Sequence, residues 1–513
     1  MLTANLTGTL GVALVTAGPG LTNAHVARAS VLVLSGTAPR AQENRGALQD
    51  IVHTDLVRSI TRYARTVREP TLVLQELDEA VARAFGQGGD PGPVYLDFPT
   101  DTLRAEVPRV LQMDEHLRPK ARPVLLPSEN DVAAAADLLW SANRPLVISG
   151  RGARGAGTEL SAFLDSLGAA YLDTGESKGL VPDDHPSVVA AMRGTVMGEA
   201  DVVITVGRRL DFQLAYGSPA VFGDAQFLRI GDAPAELRDN RRGAVELFAQ
   251  PAAALAAITY AARGRKSQVD RDWVNGLRMR HEERAKKLRQ SMRTAANGSD
   301  GRIHPNRLLG ALQDQLAHNA IVIADGGDFL SFTRVGLPAS TYLDPGSLGC
   351  IGIGTPFGVA ASLAFPERQV VVATGDGAFG FNAMEIDTAV RHRAPVLIVV
   401  ANNGAWQIEV HDQNDTHGKV VGTRLQFADH AAMARAFGMY AERVEKAEDL
   451  AGAIERALAH RPALLDVVVT TDARSSDAKS GLAWVPDLQP LAAWDDAERN
   501  WRSAKPKDDP QHR

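Results

Sequence analysis

The sequence predicts an α/β protein made of three doubly wound parallel-sheet domains, and three observations carry that prediction. Short β-branched runs alternate with alanine-rich stretches of helical spacing almost throughout, the pattern of a parallel sheet covered by helices. The chain is 513 residues long, which suits about three domains at roughly 150 residues each. A proline-rich stretch and a polar, basic one cut the alternation into three blocks, and 45% hydrophobic residues supply apolar mass for several cores.

In the first block the predicted strands are VALVT (12–16), VLVLS (31–35) and PVYLDF (93–98). Leu74, Leu77, Val81 and Phe85 recur at three- and four-residue spacing and give one apolar helix face. Gly86, Gly88 and Gly89 stop that helix. Residues 104–127 carry Pro108, Pro119, Pro123 and Pro127 among scattered charges and read as a linker. The second block has strands at 145–149, 169–173, 201–206 and 227–230, then a basic helical stretch near 270–295 and the turn NGSDG at 297–301. The third opens with a helix whose first position is Pro305, followed by strands at 320–325, 369–374, 395–402 and 464–470.

Charge and composition narrow the function. Fifty-five basic against 61 acidic residues give a net charge of −6 with no basic tract, so nucleic acid is not an expected partner. Cys350 is the only cysteine, which excludes an intramolecular disulfide and any multi-cysteine metal site. Apolar runs are short and broken by Gly, Pro or charge, and the N-terminus lacks a basic leader, so the expectation is a cytoplasmic multidomain enzyme without a membrane span.

The chemistry is written in the third block. Strand QVVVAT runs into Gly375-Asp376-Gly377-Ala378-Phe379, then a helix with Met384, Ile386 and Val390 on one face, then strand PVLIVVA ending in Asn402-Asn403-Gly404. Asp376 and Asn403 are 27 residues apart, each just past the C-terminal end of a parallel strand, where open α/β sheets bind ligands. A carboxylate and a carboxamide oxygen at neighbouring tips are hard donors suited to Mg²⁺ that keeps part of its shell for phosphate oxygens. Gly375 and Gly377 allow close backbone approach to a diphosphate, and the helix start that follows favours negative charge.

This arrangement resembles the diphosphate-binding motif of the thiamine diphosphate enzymes, GDG followed by NN. Leu348-Gly349-Cys350-Ile351-Gly352-Ile353-Gly354-Thr355-Pro356 is similar to that family's glycine-rich loop, in which the residue at the place of Ile351 wedges under the cofactor and bends it. Thr16-Ala17-Gly18-Pro19-Gly20-Leu21-Thr22-Asn23 resembles the strand-then-turn of the family's pyrimidine-binding domain, and Gly46-Ala47-Leu48-Gln49-Asp50 the loop whose Gln reaches the thiazolium side. The resemblance implies a pyrimidine-binding domain (1–115), a Rossmann-like central domain (125–295), a diphosphate-binding domain (300–473) and a C-terminal tail or lid (474–513). It implies thiamine diphosphate and Mg²⁺ as cofactors. Asp328, Phe329, Gly349, Ile351, Gly375, Asp376, Gly377, Ala378, Asn403 and Trp406 would bind the former; Asp376, Asn403 and the carbonyl of Ala405 would hold the metal. Gln49 and Ile351 would serve catalysis, and Cys350 reads as a small packing residue.

GDGAFGFNAMEIDTA (375–389), KGLVPDDHP (178–186) and GRRLDF (207–212) look most like the 2-hydroxyacyl-CoA lyase and oxalyl-CoA decarboxylase branch. The implied activity is a C–C bond lyase acting on a 2-hydroxyacyl-CoA, with acetolactate synthase-like carboligation of 2-oxo acids as one alternative and a cofactor-binding homologue of impaired activity as another. Because the family's two cofactor-binding domains meet across subunits, a homodimer or homotetramer is implied.

Three further features have competing readings. Gly150-Arg151-Gly152-Ala153-Arg154-Gly155 follows a strand and satisfies G-x-G-x-x-G, with Asp173 at the end of the next strand. In this family such a domain binds flavin, binds ADP or the adenylate of CoA, or binds nothing; Arg151, Arg154 and Arg209 face phosphates in one reading and solvent in the other. His411, Asp412, Asp415 and His417 read as a turn-like polar loop over the site rather than a metal cluster, with His411 or His417 as a proton donor. The stretch from Arg474 to Trp501 holds Trp484, Trp494 and Trp501 and reads as a lid or as a tail packed on a neighbouring subunit.

Two departures from the family stand in the first block. The family's glutamate, on the helix before the strand matching VALVT, has no counterpart, since no acidic residue precedes Glu43. Seven residues, Ala24 to Ser30, join Asn23 to VLVLS, too few for a parallel crossover of about ten to twelve or more. The expectation is therefore a first domain lacking its opening strand and helix.

Overall fold

The β-branched runs become strands and the alanine-rich stretches become the helices between them. A computed structural model describes residues 2–6, 10–107 and 123–475, with 496, 499, 500 and 503 near the end. Most of the expected linker and of the C-terminal stretch, including Trp484, Trp494 and Trp501, lies outside the described residues.

Three sheets form, and every pairing in them is parallel. The first contains β1 (Leu2–Leu6), β2 (Val31–Thr37), β3 (Tyr63–Thr66) and β4 (Val94–Pro99) in the order β1-β2-β4-β3. The second contains β5 (Pro145–Ser149), β6 (Ala170–Leu172), β7 (Val202–Val206), β8 (Gln226–Gly231) and β9 (Val245–Phe248) in the order β6-β5-β7-β8-β9. The third contains β10 (Ile321–Asp325), β11 (Thr341–Leu343), β12 (Val370–Gly375), β13 (Val396–Asn402), β14 (Tyr440–Val444) and β15 (Ala463–Val468) in the order β11-β10-β12-β13-β15-β14. In each sheet the order reverses partway, the doubly wound arrangement the alternation predicts.

The third sheet shows why its strands are continuous apolar runs. Val322, Ala324, Val371, Ala373, Leu397 and Val399 pack into one core, while Ile321, Ile323, Val370, Val372, Val396 and Ile398 pack into another on the opposite face. A strand covered on both sides has no polar face to show.

The first block departs from expectation. VALVT is not a strand; it lies within the helix Leu10–Val26, and so does the whole TAGPGLTN motif, with Pro19 inside the helix. The strand preceding β2 is Leu2–Leu6, paired in register with Val31–Ser35. The short link explains the outcome. Seven residues cannot return a chain to the start of a parallel neighbour, whereas a 17-residue helix spans roughly 25 Å and can. The opening βαβ unit is thus made from the residues expected to be its second strand, and the first sheet carries a strand and helix before VLVLS.

Buried charges join the blocks. Lys178, just after the 3-10 turn Gly175–Ser177, donates from Nζ to the carbonyls of Arg334 (2.6 Å) and Leu337 (2.8 Å) and lies over the Tyr342 ring. Arg28 of the first block meets Glu236 of the second at 2.9 Å, with both side chains almost wholly buried. The Asp90 carboxylate accepts from the amide of Ala235 at 3.0 Å. The helix Arg271–Thr294 bridges the second and third blocks, with Val274 in the core of one and Met292 in the core of the other.

Arg229 is a buried charge held within the second block. It is fully buried on β8, and its guanidinium pairs with fully buried Asp239 and also donates to Thr205 Oγ1 and to the carbonyls of Arg241 and Glu236. Removing one partner of such a pair leaves the other charged and unsolvated, which costs about 3–5 kcal/mol. Arg229→Met is therefore expected to lower the unfolding free energy measured by urea titration by that amount, and Arg229→Met with Asp239→Leu to recover most of it.

Candidate active site

The site follows from two neighbouring strands. β12 and β13 pair so that Gly375 stands beside Ala401, which brings Asp376 and Asn403 off adjacent strand tips. Asp376 opens the short helix Asp376–Phe379 and is 5% exposed. Its Oδ2 is buried with no hydrogen-bond partner, and burial pushes its carboxyl up to about 6 against the pull of surrounding backbone amides. The two asparagines divide by position. Asn402, still in the strand and fully buried, donates to the Ala428 carbonyl and to Asp466, both at 2.9 Å. Asn403, one residue beyond, accepts from the Ala405 amide at 3.1 Å.

These residues open on a cavity of about 680 Å³. Its lining includes Asp328, Phe329, Gly349, Ile351, Gly375, Asp376, Gly377, Ala378, Asn403, Ala405 and Trp406, so the residues expected at a cofactor and a metal converge on one space. A Cβ on Gly377 would lie 3.2 Å from the indole of Trp406, and that indole meets the Phe381 ring edge-on at 5.6 Å. Glycine is what lets the strand tip pass beneath the ring.

Asp325, at the end of β10, holds the loop bearing Ile351, and sequence reasoning missed it. It is 1% exposed and accepts from the amides of Gly326 (2.7 Å), Gly352 (3.0 Å) and Gly354 (2.8 Å). Asn382 donates to the Gly352 carbonyl at 2.7 Å, closing the loop from its other side. The available signal was an acid ending an apolar strand directly before two glycines.

Residues 132–258 match the family model described as "Thiamine pyrophosphate enzyme, central domain", and residues 329–467 match "Thiamine pyrophosphate enzyme, C-terminal TPP binding domain". A Mycobacterium bovis protein named "Probable acetolactate synthase" is 33% identical over 479 residues, covering 89% of this chain and 84% of its own length. The chain belongs to the thiamine pyrophosphate enzyme family. Human "2-hydroxyacyl-CoA lyase 2" is 30% identical over 485 residues, covering 85% of this chain and 75% of its own. Mouse "2-hydroxyacyl-CoA lyase 1" is 28% identical over 496 residues, covering 90% and 84%.

The strand tip of this thiamine pyrophosphate enzyme suits a diphosphate with a hard cation. Asp376 offers an unpartnered carboxylate oxygen, Asn403 a carboxamide, and Gly375 and Gly377 a backbone free of side chains. Among the described residues no three His, Cys, Asp or Glu side chains gather as a metal cluster.

Other expected residues fall elsewhere. Gln49 sits on a turn with φ of 60° and does not line the cavity. His411 to His417 is not a loop; it belongs to the helix Gln407–His417. The run is polar because that helix binds the segment leading to the C-terminus. Gln407 donates to the Thr471 carbonyl at 3.0 Å, His411 Nε2 lies 3.2 Å from the Ala473 carbonyl, and Arg474 forks onto Asp415. The Ser475 amide donates to Asp328, which itself lines the cavity. His411 is buried, which pulls its pKa down, and His417 is exposed; neither lines the cavity. Gln407, Ile408 and Glu409 of this helix do line it, and the Glu409 carboxyl is raised by burial and by Asp412.

The central glycine fingerprint also resolves. A Cβ on Gly152 would meet the Glu236 carboxylate at 2.6 Å, and one on Gly150 would meet Arg208 at 2.6 Å. The glycines admit these side chains, and the adenine nucleotide expected as one reading finds no support there. Arg154 donates to the Glu176 carbonyl and Arg209 is exposed; with Arg151, neither lines the cavity. Cys350 is partly buried, its Sγ 4.0 Å from the Pro19 carbonyl.

Asp325→Ala tests the loop's anchor. Each buried amide left without its acceptor costs about 1–3 kcal/mol, so stability is expected to fall by about 3 kcal/mol or more. Thermal denaturation, with faster hydrogen exchange at Gly352 and Gly354, checks it.

Proposed function

We propose that this chain is a thiamine-diphosphate- and Mg²⁺-dependent C–C bond lyase of the 2-hydroxyacyl-CoA lyase kind. The observation that carries the reading is the unpartnered carboxylate oxygen of Asp376 in a cavity it shares with Asn403, Ile351 and Trp406. Asp376, Asn403 and the carbonyl of Ala405 would hold Mg²⁺, and the backbone at Gly375 and Gly377 would approach the diphosphate. Asp328, Phe329, Gly349, Ala378 and Trp406 complete the walls, and Ile351 would brace the cofactor from the loop that Asp325 fixes. Thiamine diphosphate, when bound, would supply a nucleophilic carbon to add to a carbonyl and a cationic thiazolium ring to take up the electron pair released when the C–C bond beside that carbonyl breaks. The chain's part is to place the carbonyl, exclude water, and hold a proton. Glu409, its carboxyl raised by burial, retains a proton at its carboxyl oxygen to higher pH than an exposed glutamate.

The active form in this reading is a homodimer or homotetramer. No described residue of the first sheet's segment lines the cavity, and the loop bearing Gln49 presents apolar side chains to solvent: Leu48 is 79% exposed and Val52 61%. A second copy covering this loop would bring Gln49 to a cofactor held by its neighbour. Leu48→Asp with Val52→Asp is expected to shift the protein toward monomer in sedimentation velocity; an unchanged species would contradict that arrangement.

Carboligation of 2-oxo acids is the second reading, favoured by the 33% identity to the protein named as an acetolactate synthase. Titration with thiamine diphosphate and Mg²⁺ is expected to quench Trp406 fluorescence, and Asp376→Ala to weaken binding about tenfold or more, a loss of about 1.4 kcal/mol. The loaded enzyme should then release an aldehyde from a 2-hydroxyacyl-CoA. Acetolactate from pyruvate instead would select the second reading, and cofactor binding without turnover of either would mark an impaired homologue.

A further inference from the structure

The cavity extends past the residues assigned to the cofactor. Its other end is built from Thr174, Gly175, Glu176, Arg193, Phe212 and Gln213 of the second-sheet region, together with Arg334 and Asp344. The helix Asp328–Gly336 runs along it, with Asp328 at one end and Arg334 six residues on, about 9 Å away.

The charges at this end are matched, with one exception. Arg334 lies 3.3 Å from Asp344, and Glu176 stands 4.0 Å from Arg208. Among the described residues, the most deeply buried arginines meet carboxylates: Arg28 with Glu236, Arg208 forked on Asp211, and Arg229 with Asp239. Arg193 donates from Nη2 to the Gln213 carbonyl at 3.0 Å, and no carboxylate of the described residues comes within ion-pair distance of it. Asp173 and Asp211 act on it from farther off, against the like charges of Arg208 and Arg334. Burial pulls its pKa below the usual arginine value. A guanidinium has five N–H donors in a planar fork that fits two oxygens of one anion.

We propose that Arg193 is the anion anchor of this cavity, gripping a carboxylate or phosphate of the substrate while the strand-tip end holds the cofactor. The inference rests on the cofactor reading above and adds the class of group recognised. A 2-oxo acid would present its carboxylate, and an acyl-CoA one of its phosphates. The site selects for an anion in either case, and an uncharged ketone or aldehyde would lose this contact.

The test uses the full-length protein loaded with thiamine diphosphate and Mg²⁺, titrated calorimetrically with coenzyme A and separately with oxamate, an unreactive isostere of pyruvate. At least one probe is expected to bind, and Arg193→Gln to weaken that probe by about tenfold or more, the loss of a charge-assisted pair. Arg193→Lys, which keeps the charge but not the fork, is expected to fall between the two. The affected probe identifies the source of the anion. Equal binding by wild type and Arg193→Gln, or no binding of either probe to the wild type, would overturn the proposal. Cofactor affinity, read separately from Trp406 quenching, tells this failure from a failure of the cofactor reading.

Discussion

The parallel register of β12 and β13 is the constraint on which the site depends. Gly375 beside Ala401 fixes where both strands stop, and therefore where Asp376 and Asn403 emerge. A slip of one residue would send every side chain of a strand to the opposite face. It would exchange the roles of Asn402, which ties the strand to Asp466, and Asn403, which faces the cavity. Such a slip is costly because the strands are buried on both sides, and Val370 to Ala373 and Val396 to Ala401 each belong to one of two cores. Hydrophobic packing far from the cavity thus sets the positions of two polar groups within it.

Around that pair, polar contacts do what apolar packing cannot. Asp325, from the strand on the other side of β12, gathers the amides of the loop carrying Ile351. Lys178 binds the second-sheet region to the helix Asp328–Gly336 through two carbonyls, so the far wall of the cavity is held against the near one. Arg28 and Glu236 join the first region to the second through the space the glycine fingerprint leaves open. Carbonyls and amides at chain turns have no other partners in such places, and buried charges answer them with more strength than neutral groups would. The fold and the site share these residues.

Much of this was legible in the sequence, and what was not has physical reasons. Strand runs in the second and third blocks announce themselves because a twice-covered strand must be apolar throughout. The GDG and NN segments are legible because the chemistry at a strand tip demands particular residues at particular ends. VALVT misled because a short apolar run fits a buried helix as well as a strand, and only the length of the following link decides between them. The polar run from His411 to His417 looked like a loop because its helix is covered by residues 471–475, some 60 positions later. Glu236 in the fingerprint, and the partners of Arg229, are likewise long-range facts that no local pattern carries. Asp325 stood in plain sight as one acid after a strand, but two of its three amide partners, Gly352 and Gly354, lie 27 and 29 residues on.

In the function proposed above, this strand-tip cavity binds and activates thiamine diphosphate. Exchange of the C2 proton of the cofactor for deuterium, followed by quenched-flow NMR in the presence of the protein and Mg²⁺, measures activation without any assumption about the substrate. Exchange well above the rate of the free cofactor is expected, with the acceleration lost in Asp376→Ala. Exchange on the wild-type protein no faster than in free solution, with the cofactor bound, would contradict it.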